Sequence, residues 1–146
     1  MLPESIELVI VTPERQLLRE GAVEVVLPGA DGCLGVLPGH APLITELGIG
    51  EMTYRAKGGG EPVHLAIIQG FAEVLGDRVT VLAEMAERPE EIDVARAEEA
   101  LKRAEKRLAS SAQDPQIDWG RASIALQRSN IRLQVARRRR GAPMSS

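Results

Sequence analysis

The sequence predicts a β + α protein: an N-terminal all-β sandwich or barrel, then a C-terminal antiparallel two-helix hairpin. Three observations carry this. Up to Arg88 the apolar residues fall in short β-branched runs separated by Gly and Pro. From Pro89 onward they recur at helical spacing. Charge changes sign at the same place. Through Arg88 there are 13 acidic and 6 basic side chains, a balance of −7; from Pro89 there are 8 acidic and 12 basic, a balance of +4. A split of this kind marks two units with different partners, 1–88 and 89–146.

The strand segments follow in order. Ile6 to Val11 is a β-branched run closed by Thr12-Pro13. Ala22 to Leu27 alternates partly around Glu24 and stops at Pro28-Gly29. Leu34 to Leu37 stops at Pro38-Gly39. Leu43 to Leu47, Gly50 to Arg55, Val63 to Ile68, Phe71 to Leu75 and Val79 to Met85 complete the set. Gly58-Gly59-Gly60, Gly70 and Gly76-Asp77 supply turns between them, where a positive φ is tolerated. Many short strands at this spacing make a sandwich or a barrel.

The first helix is expected to begin near Pro89, whose missing N–H has no partner in a first turn anyway. Glu90, Glu91 and Asp93 lie near its N-terminus, and Lys102, Arg103, Lys106 and Arg107 near its C-terminus, both favourable to the helix dipole. Val94, Ala97, Leu101, Ala104 and Leu108 form one narrow apolar seam. Glu98–Lys102 and Glu99–Arg103 add i,i+4 pairs. Ser110 to Gln116, with Pro115 inside, breaks the pattern. Asp118 can cap a second helix, whose seam is Ala122, Leu126, Ser129, Leu133 and Ala136. A short loop between two seams predicts a hairpin. Both seams are rich in small residues, so burial at about 25 cal/mol per Å² gives a marginal hairpin. Such a hairpin suits either a rigid appendage or an element that changes its docking.

Composition removes several function classes. Of 146 residues, 44% are hydrophobic and 27% charged, as in globular proteins generally. Aromatic residues are only 2%, namely Tyr54, Phe71 and Trp119, so the core is aliphatic and a base-stacking platform is not expected. The single cysteine, Cys33, allows no intrachain disulfide and fits a reducing compartment. No run approaches the roughly 20 apolar residues of a membrane-spanning helix. Residues 1–7 lack a basic segment followed by an apolar stretch, so no signal peptide is expected. A soluble chain, or one held at a membrane through a partner, is the expectation. His40 and His64 are the only histidines. No HExxH or CxxC spacing and no GxxxxGK[ST] loop occurs, so catalytic residues, metal ligands and an NTPase site are all expected to be absent. The basic hairpin raises the alternative of a nucleic-acid module. The net charge of −3, the scarcity of aromatics and the absence of a recognition helix argue against it.

Four stretches, in order, resemble one family. Gly32-Cys33-Leu34-Gly35-Val36-Leu37-Pro38-Gly39-His40-Ala41-Pro42-Leu43 is similar to the glycine-leucine-glycine, proline-glycine-histidine stretch of ATP synthase epsilon subunits. Val9-Ile10-Val11-Thr12-Pro13 resembles that family's first strand and turn, and Gly70-Phe71-Ala72-Glu73-Val74 its glycine-phenylalanine strand. Ile92-Asp93-Val94-Ala95-Arg96-Ala97 matches its IDxxRA motif in full. The resemblance runs to about Ala136.

The resemblance implies a β sandwich of about ten strands followed by two helices. It implies a non-catalytic rotor subunit of an F-type, proton-translocating ATP synthase of bacterial type. The place implied is the cytoplasmic face of the cell membrane, where the subunit is peripheral and reaches the membrane only through the complex. The implied partners are the gamma subunit, the ring of c subunits and the catalytic beta and alpha subunits, with no nucleic acid. The implied role is to couple proton flow to ATP synthesis while the hairpin inhibits ATP hydrolysis. For rotor contact the resemblance points to Asp31, Gly32, Cys33, Leu34, Gly35 and His40. Related chains often carry a glutamate where this one has Cys33; Asp31 is the nearby carboxylate that can replace it. For a regulatory ATP, with no other cofactor, it points to Glu87, Ile92, Asp93, Arg96, Ala97, Arg103, Arg128 and Arg132. Guanidinium groups at such spacings suit phosphates through charge-assisted hydrogen bonds. Asp93 and Arg96 also have a plainer reading, a carboxylate at a helix start and a surface pair. The basic stripes also suit an acidic segment of the beta subunits. Arg137 to Arg140 extends past the family's usual end, and its expected roles are inhibition, contact with anionic lipid, or none.

Overall fold

The computed structural model describes residues 3–139. The chain divides into two compact units, Met1–Glu87 and Arg88–Ser146, each described by itself below.

The first unit is built of six strands: β1 (Ile6–Val11), β2 (Gln16–Gly29), β3 (Gly32–Val36), β4 (Leu43–Ala56), β5 (Val63–Leu75) and β6 (Arg78–Glu87). Their order is β1-β6-β5-β4-β2-β3, and β1 also pairs with β2. β1 is antiparallel to β2 and parallel to β6. The sheet therefore closes on itself through β1, which leaves that strand no open edge. Glu7 reinforces the closure, with Oε1 3.0 Å from the guanidinium groups of both Arg19 on β2 and Arg78 on β6.

The core is aliphatic, as composition suggests, with Tyr54 its one aromatic member among the described residues; the Tyr54 hydroxyl donates to Glu20 Oε2 at 2.7 Å. Leu8, Ile10, Val25, Leu27, Val36, Met52, Leu65, Ile67, Val79 and Val81 are fully or almost fully buried in it. Along β5 the inward side chains are Leu65 and Ile67, then Ala72 and Val74. The inward face thus shifts by one residue between them. The shift falls at Gln69 and Gly70, both at positive φ, 53° and 141°. β4 shifts likewise between Leu47 and Met52, and β6 between Ala83 and Ala86. These are corners where a strand passes from one layer of the sandwich to the other. They explain the count. The eight segments read from the sequence are six long strands, because Leu43 to Leu47 joins Gly50 to Arg55, and Val63 to Ile68 joins Phe71 to Leu75, through corners that keep the ladder intact; the resemblance implied about ten.

The second unit opens with a 3-10 turn at Pro89–Glu91, then α1 (Val94–Ser110) and α2 (Trp119–Ala136). The first helix begins later than expected. Ile92 N–H bonds to the Pro89 carbonyl at 3.3 Å and closes the short turn. Arg88 N–H bonds to Glu91 Oε1 at 3.0 Å. Asp93 is extended and accepts from Arg96 N–H at 3.1 Å, so it is the N-cap of α1. Glu90 and Glu91 therefore sit on the 3-10 turn and not in the first α-helical turn. Asp118 caps α2 as expected, accepting from Arg121 N–H at 3.0 Å.

The seam forms from the expected residues. Ala97, Ala104, Ala122, Ser129 and Ala136 are buried, and Val94, Leu101, Leu108, Leu126 and Leu133 are half-buried. The Ser129 hydroxyl donates to the Ala125 carbonyl at 2.9 Å, so its polar group is satisfied within its own helix. One end of the hairpin is marked by Arg107 beside Arg121 and Ala122. The other is marked by Arg139, which bonds to Pro89 and Ile92. The helices are antiparallel.

Candidate functional site

Five of the six rotor-contact candidates, Asp31 to Gly35, lie at the turn of the β2–β3 hairpin and along β3; the sixth, His40, lies past the other end of β3. Gly29 pairs with Gly32, which leaves a two-residue turn, Ala30-Asp31. Gly32 has φ 134°, a conformation that disfavours any side chain with a Cβ. Asp31, Gly32, Cys33 and Gly35 are exposed, and Cys33 is a free thiol. Leu34 instead packs against the core cluster. His40 is half-buried in the next loop, where its N–H bonds to the Leu37 carbonyl at 3.1 Å and Nδ1 lies 2.6 Å from the Ala41 carbonyl. This is a turn histidine held by backbone. His64 pairs with Glu51 across strands at 3.1 Å.

A second surface was not singled out from sequence. Phe71 on β5 pairs with Leu82 on β6, and both point outward, 55% and 54% exposed. They line a shallow hollow of about 410 Å³ with Val11, Thr12, Pro13 and Gly70. The signal lay in the alternation: with Ala72 and Val74 inward, Phe71 and Leu75 must face out.

The nucleotide candidates divide between the units. Glu87 ends β6 in the first unit, and the rest lie in the second. Ile92 and Ala97 are buried, while Asp93, Arg96, Arg103 and Arg128 are exposed and Arg132 is half-buried. Asp93 already spends one carboxylate oxygen on Arg96 N–H. The two ends of the hairpin, Arg107 with Arg121 at one and Arg139 with Pro89 and Ile92 at the other, bracket Arg96, Arg103, Arg128 and Arg132 along the helices between them. At the hairpin tip, Arg107, Gln116, Asp118 and Arg121 line a polar hollow of about 390 Å³. Of the Arg137–Arg140 run, Arg140 and the residues after it lie outside the described residues. Arg139 does not project as a free charge. Its Nη2 donates to the Pro89 and Ile92 carbonyls at 3.2 and 3.1 Å.

Among the described residues no group of three or more His, Cys, Asp or Glu is placed to hold a metal. No helix among them is long and apolar enough to cross a membrane. The arrangement is a β-sandwich with an exposed apolar face, joined to a charged helical hairpin, and its features are surfaces for docking. The two units match two family models in this order: "ATP synthase, Delta/Epsilon chain, beta-sandwich domain" over residues 5–89, and "ATP synthase, Delta/Epsilon chain, long alpha-helix domain" over residues 90–137. The ATP synthase epsilon chain of Koribacter versatilis is 57% identical over 110 residues, covering 75% of this chain and 76% of that one. The epsilon chain of Solibacter usitatus is 47% identical over 135 residues, covering 92% and 98%. A chain of the Euglena gracilis mitochondrial ATP synthase, from a structure of OSCP, F1 and c-ring, superposes with a TM-score of 0.78 at 26% identity. It covers 93% of this chain and 83% of that one. A chain from the central stalk and c-ring of the Tetrahymena thermophila mitochondrial ATP synthase has the same fold, with a TM-score of 0.55 at 13% identity. The chain belongs to the ATP synthase delta/epsilon chain family, and within it stands with the bacterial epsilon chains.

Proposed function

We propose that this chain is a non-catalytic rotor subunit in the central stalk of a proton-translocating ATP synthase, and that its hairpin restrains ATP hydrolysis. The observation that carries this reading is the outward-facing apolar pair Phe71–Leu82, in a chain of this family. An apolar hollow of this kind is a place for a partner to bury surface. We assign it to the gamma subunit, and the exposed tip from Asp31 to Gly35, with His40, to the loops of the c-ring. The hairpin carries the positive balance of the chain, which suits an acidic surface on the catalytic beta subunits. The membrane is reached only through the complex, on the cytoplasmic face.

The function in this reading is mechanical. A stiff β unit holds the stalk to the ring, and a hairpin that docks into the head obstructs rotation in the hydrolysis direction. The seam is thin, so the hairpin can exchange between docked arrangements at modest free-energy cost. The test is ATP hydrolysis by a matching head complex that lacks this subunit, titrated with the full chain and with a version ending at Arg88. Inhibition by the full chain alone supports the reading. Failure of both forms to bind refutes it.

Regulatory ATP binding is the second part of the proposal. Its support is that Arg96, Arg103 and Arg128 lie exposed on the two helices of one hairpin, with Arg132 half-buried on the second. ATP relieves inhibition only through a higher affinity for the compact hairpin. Isothermal titration of the full chain with ATP, alongside Arg128→Ala, tests it: absence of heat from the wild-type chain removes ATP from the scheme.

A further inference from the structure

The carbonyl of Ile92 sits at a break in the backbone ladder. In an uninterrupted helix it would accept from Arg96 N–H, four residues on. Asp93 takes that N–H with its side chain instead, at 3.1 Å. The Pro89 carbonyl, one turn back, accepts a 3.3 Å bond from Ile92 N–H. Both oxygens receive a donor from across the hairpin. Arg139 Nη2 lies 3.1 Å from the Ile92 oxygen and 3.2 Å from that of Pro89, at sequence separations of 47 and 50. Its two hydrogens suit two acceptors at once. The Arg139 backbone is itself held, since its N–H bonds to the Ala136 carbonyl at 3.1 Å.

We infer that Arg139 is a latch that closes the open end of the hairpin and biases it toward the compact state. The seam alone is thin, and the open end lies farthest from the connecting loop, so it would open first. A charged donor on two neutral carbonyls adds there what small residues do not. Both bonds cross between α2 and the entry to α1, so any state that draws the helices apart must break them. Asp93 and Arg139 act together: by capping α1 through its side chain, Asp93 leaves the carbonyl that Arg139 takes. This assigns a role within the arginine run that is opposite to direct inhibition. The regulatory half of the inference rests on the inhibitory reading proposed above; the structural half does not.

The experiment uses the full chain with Arg139→Met, which keeps an apolar stem, and Arg139→Lys, which keeps the charge without the fork. Amide hydrogen exchange is read over residues 89–97 and 131–137 in the free chain. Inhibition of ATP hydrolysis is read with the head complex. The expected result is exchange faster by at least about tenfold at both segments in Arg139→Met, since one charged hydrogen bond corresponds to about that factor and this substitution removes two. A smaller rise is expected in Arg139→Lys, with inhibition at severalfold lower concentration for Arg139→Met. Unchanged exchange in both variants overturns the latch, whatever inhibition does. Faster exchange with weaker inhibition in Arg139→Met, and inhibition preserved in Arg139→Lys, overturns the regulatory half and makes Arg139 a charge that contacts the head. Faster exchange with no inhibition by any form, wild type included, supports the latch and refutes the inhibitory reading alone.

Discussion

Gly70 is the position where the fold of the β unit is most exposed to a single methyl group. Its φ is 141°, and a Cβ built there would lie 2.0 Å from the Leu82 carbonyl oxygen and 2.8 Å from Ala83 Cα. Both obstacles are backbone of β6, which cannot step aside without breaking the pairing of Gly70 with Ala83 and Phe71 with Leu82. Backbone held in such a region costs a residue with a Cβ about 1–3 kcal/mol. Overpacking against a fixed neighbour costs about 1–3 kcal/mol more. Together Gly70→Ala is expected to cost about 2–6 kcal/mol, a large part of the 5–15 kcal/mol that holds a typical domain. At about 4–8 °C per kcal/mol for a unit of this size, the melting midpoint falls by at least roughly 8 °C. Gly35 is the control: it lies in β3 with nothing within 4 Å of an added Cβ, so Gly35→Ala is expected to stay within about 1 kcal/mol of wild type. Urea denaturation of the full chain, followed by β-sheet circular dichroism, measures both. A loss below about 1 kcal/mol for Gly70→Ala would refute the claim that this corner is fixed by backbone contact.

Phe71→Ser with Leu82→Ser is expected to leave stability within about 1 kcal/mol, because both side chains are more than half exposed, while weakening binding to the gamma-containing complex at least tenfold; equal binding in a pull-down titration would move the docking face elsewhere. Asp93→Ala is expected to cost the hairpin about 1 kcal/mol through loss of the cap, with Asp93→Ser close to wild type; a melting curve in which both variants lose equally would assign the carboxylate a role other than capping. Ala104→Leu puts an isobutyl group where the seam leaves 2% exposure, and is expected to cost about 1–3 kcal/mol of hairpin stability by overpacking; an unchanged helical melt would show the seam to be loose. Glu7→Gln is expected to cost about 1 kcal/mol or less, since Glu7 and its two partners, Arg19 and Arg78, are all partly exposed, and the loss should shrink in 1 M salt.

What the sequence made legible was whatever depends on local period and local caps. Ile6–Val11 is β1 to the residue, because a β-branched run ending at Thr12-Pro13 has one reading. Asp118 is the cap of α2 because a short acceptor before a helical seam satisfies an orphan N–H directly. The corners were read as strand ends, since Gly48, Gly50 and Gly70 look the same in sequence whether the chain turns back or bends between layers. Pro89 was read as the start of α1, since a proline followed by two glutamates fits a 3-10 turn as well as an α-helical one. Asp93 decided between them by taking Arg96 N–H. The exposed Phe71 was masked by its aromatic character, which suggests a core, although its parity against Ala72 and Val74 places it outside. The role of Arg139 rests on a contact some 50 residues away, and no local pattern contains it.

That contact changes how the IDxxRA segment is understood. Asp93 acts on α1 by capping it and acts across the hairpin by freeing the carbonyl that Arg139 binds. Arg96 contributes its backbone N–H to the first of these, with its guanidinium still exposed. A substitution at Asp93 therefore perturbs helix start, hairpin closure and any nucleotide contact together, and loss of ATP binding in Asp93→Ala would not by itself identify a ligand. Arg128 takes no part in the cap or in the Arg139 bonds. If phosphate charge is recognised by guanidinium groups on this hairpin, exchange to lysine at Arg128 should weaken ATP binding while hydrogen exchange at residues 89–97 stays at its wild-type rate. Binding and exchange changing in step would mean that the ligand acts through closure of the hairpin, with the arginine only supporting the compact state.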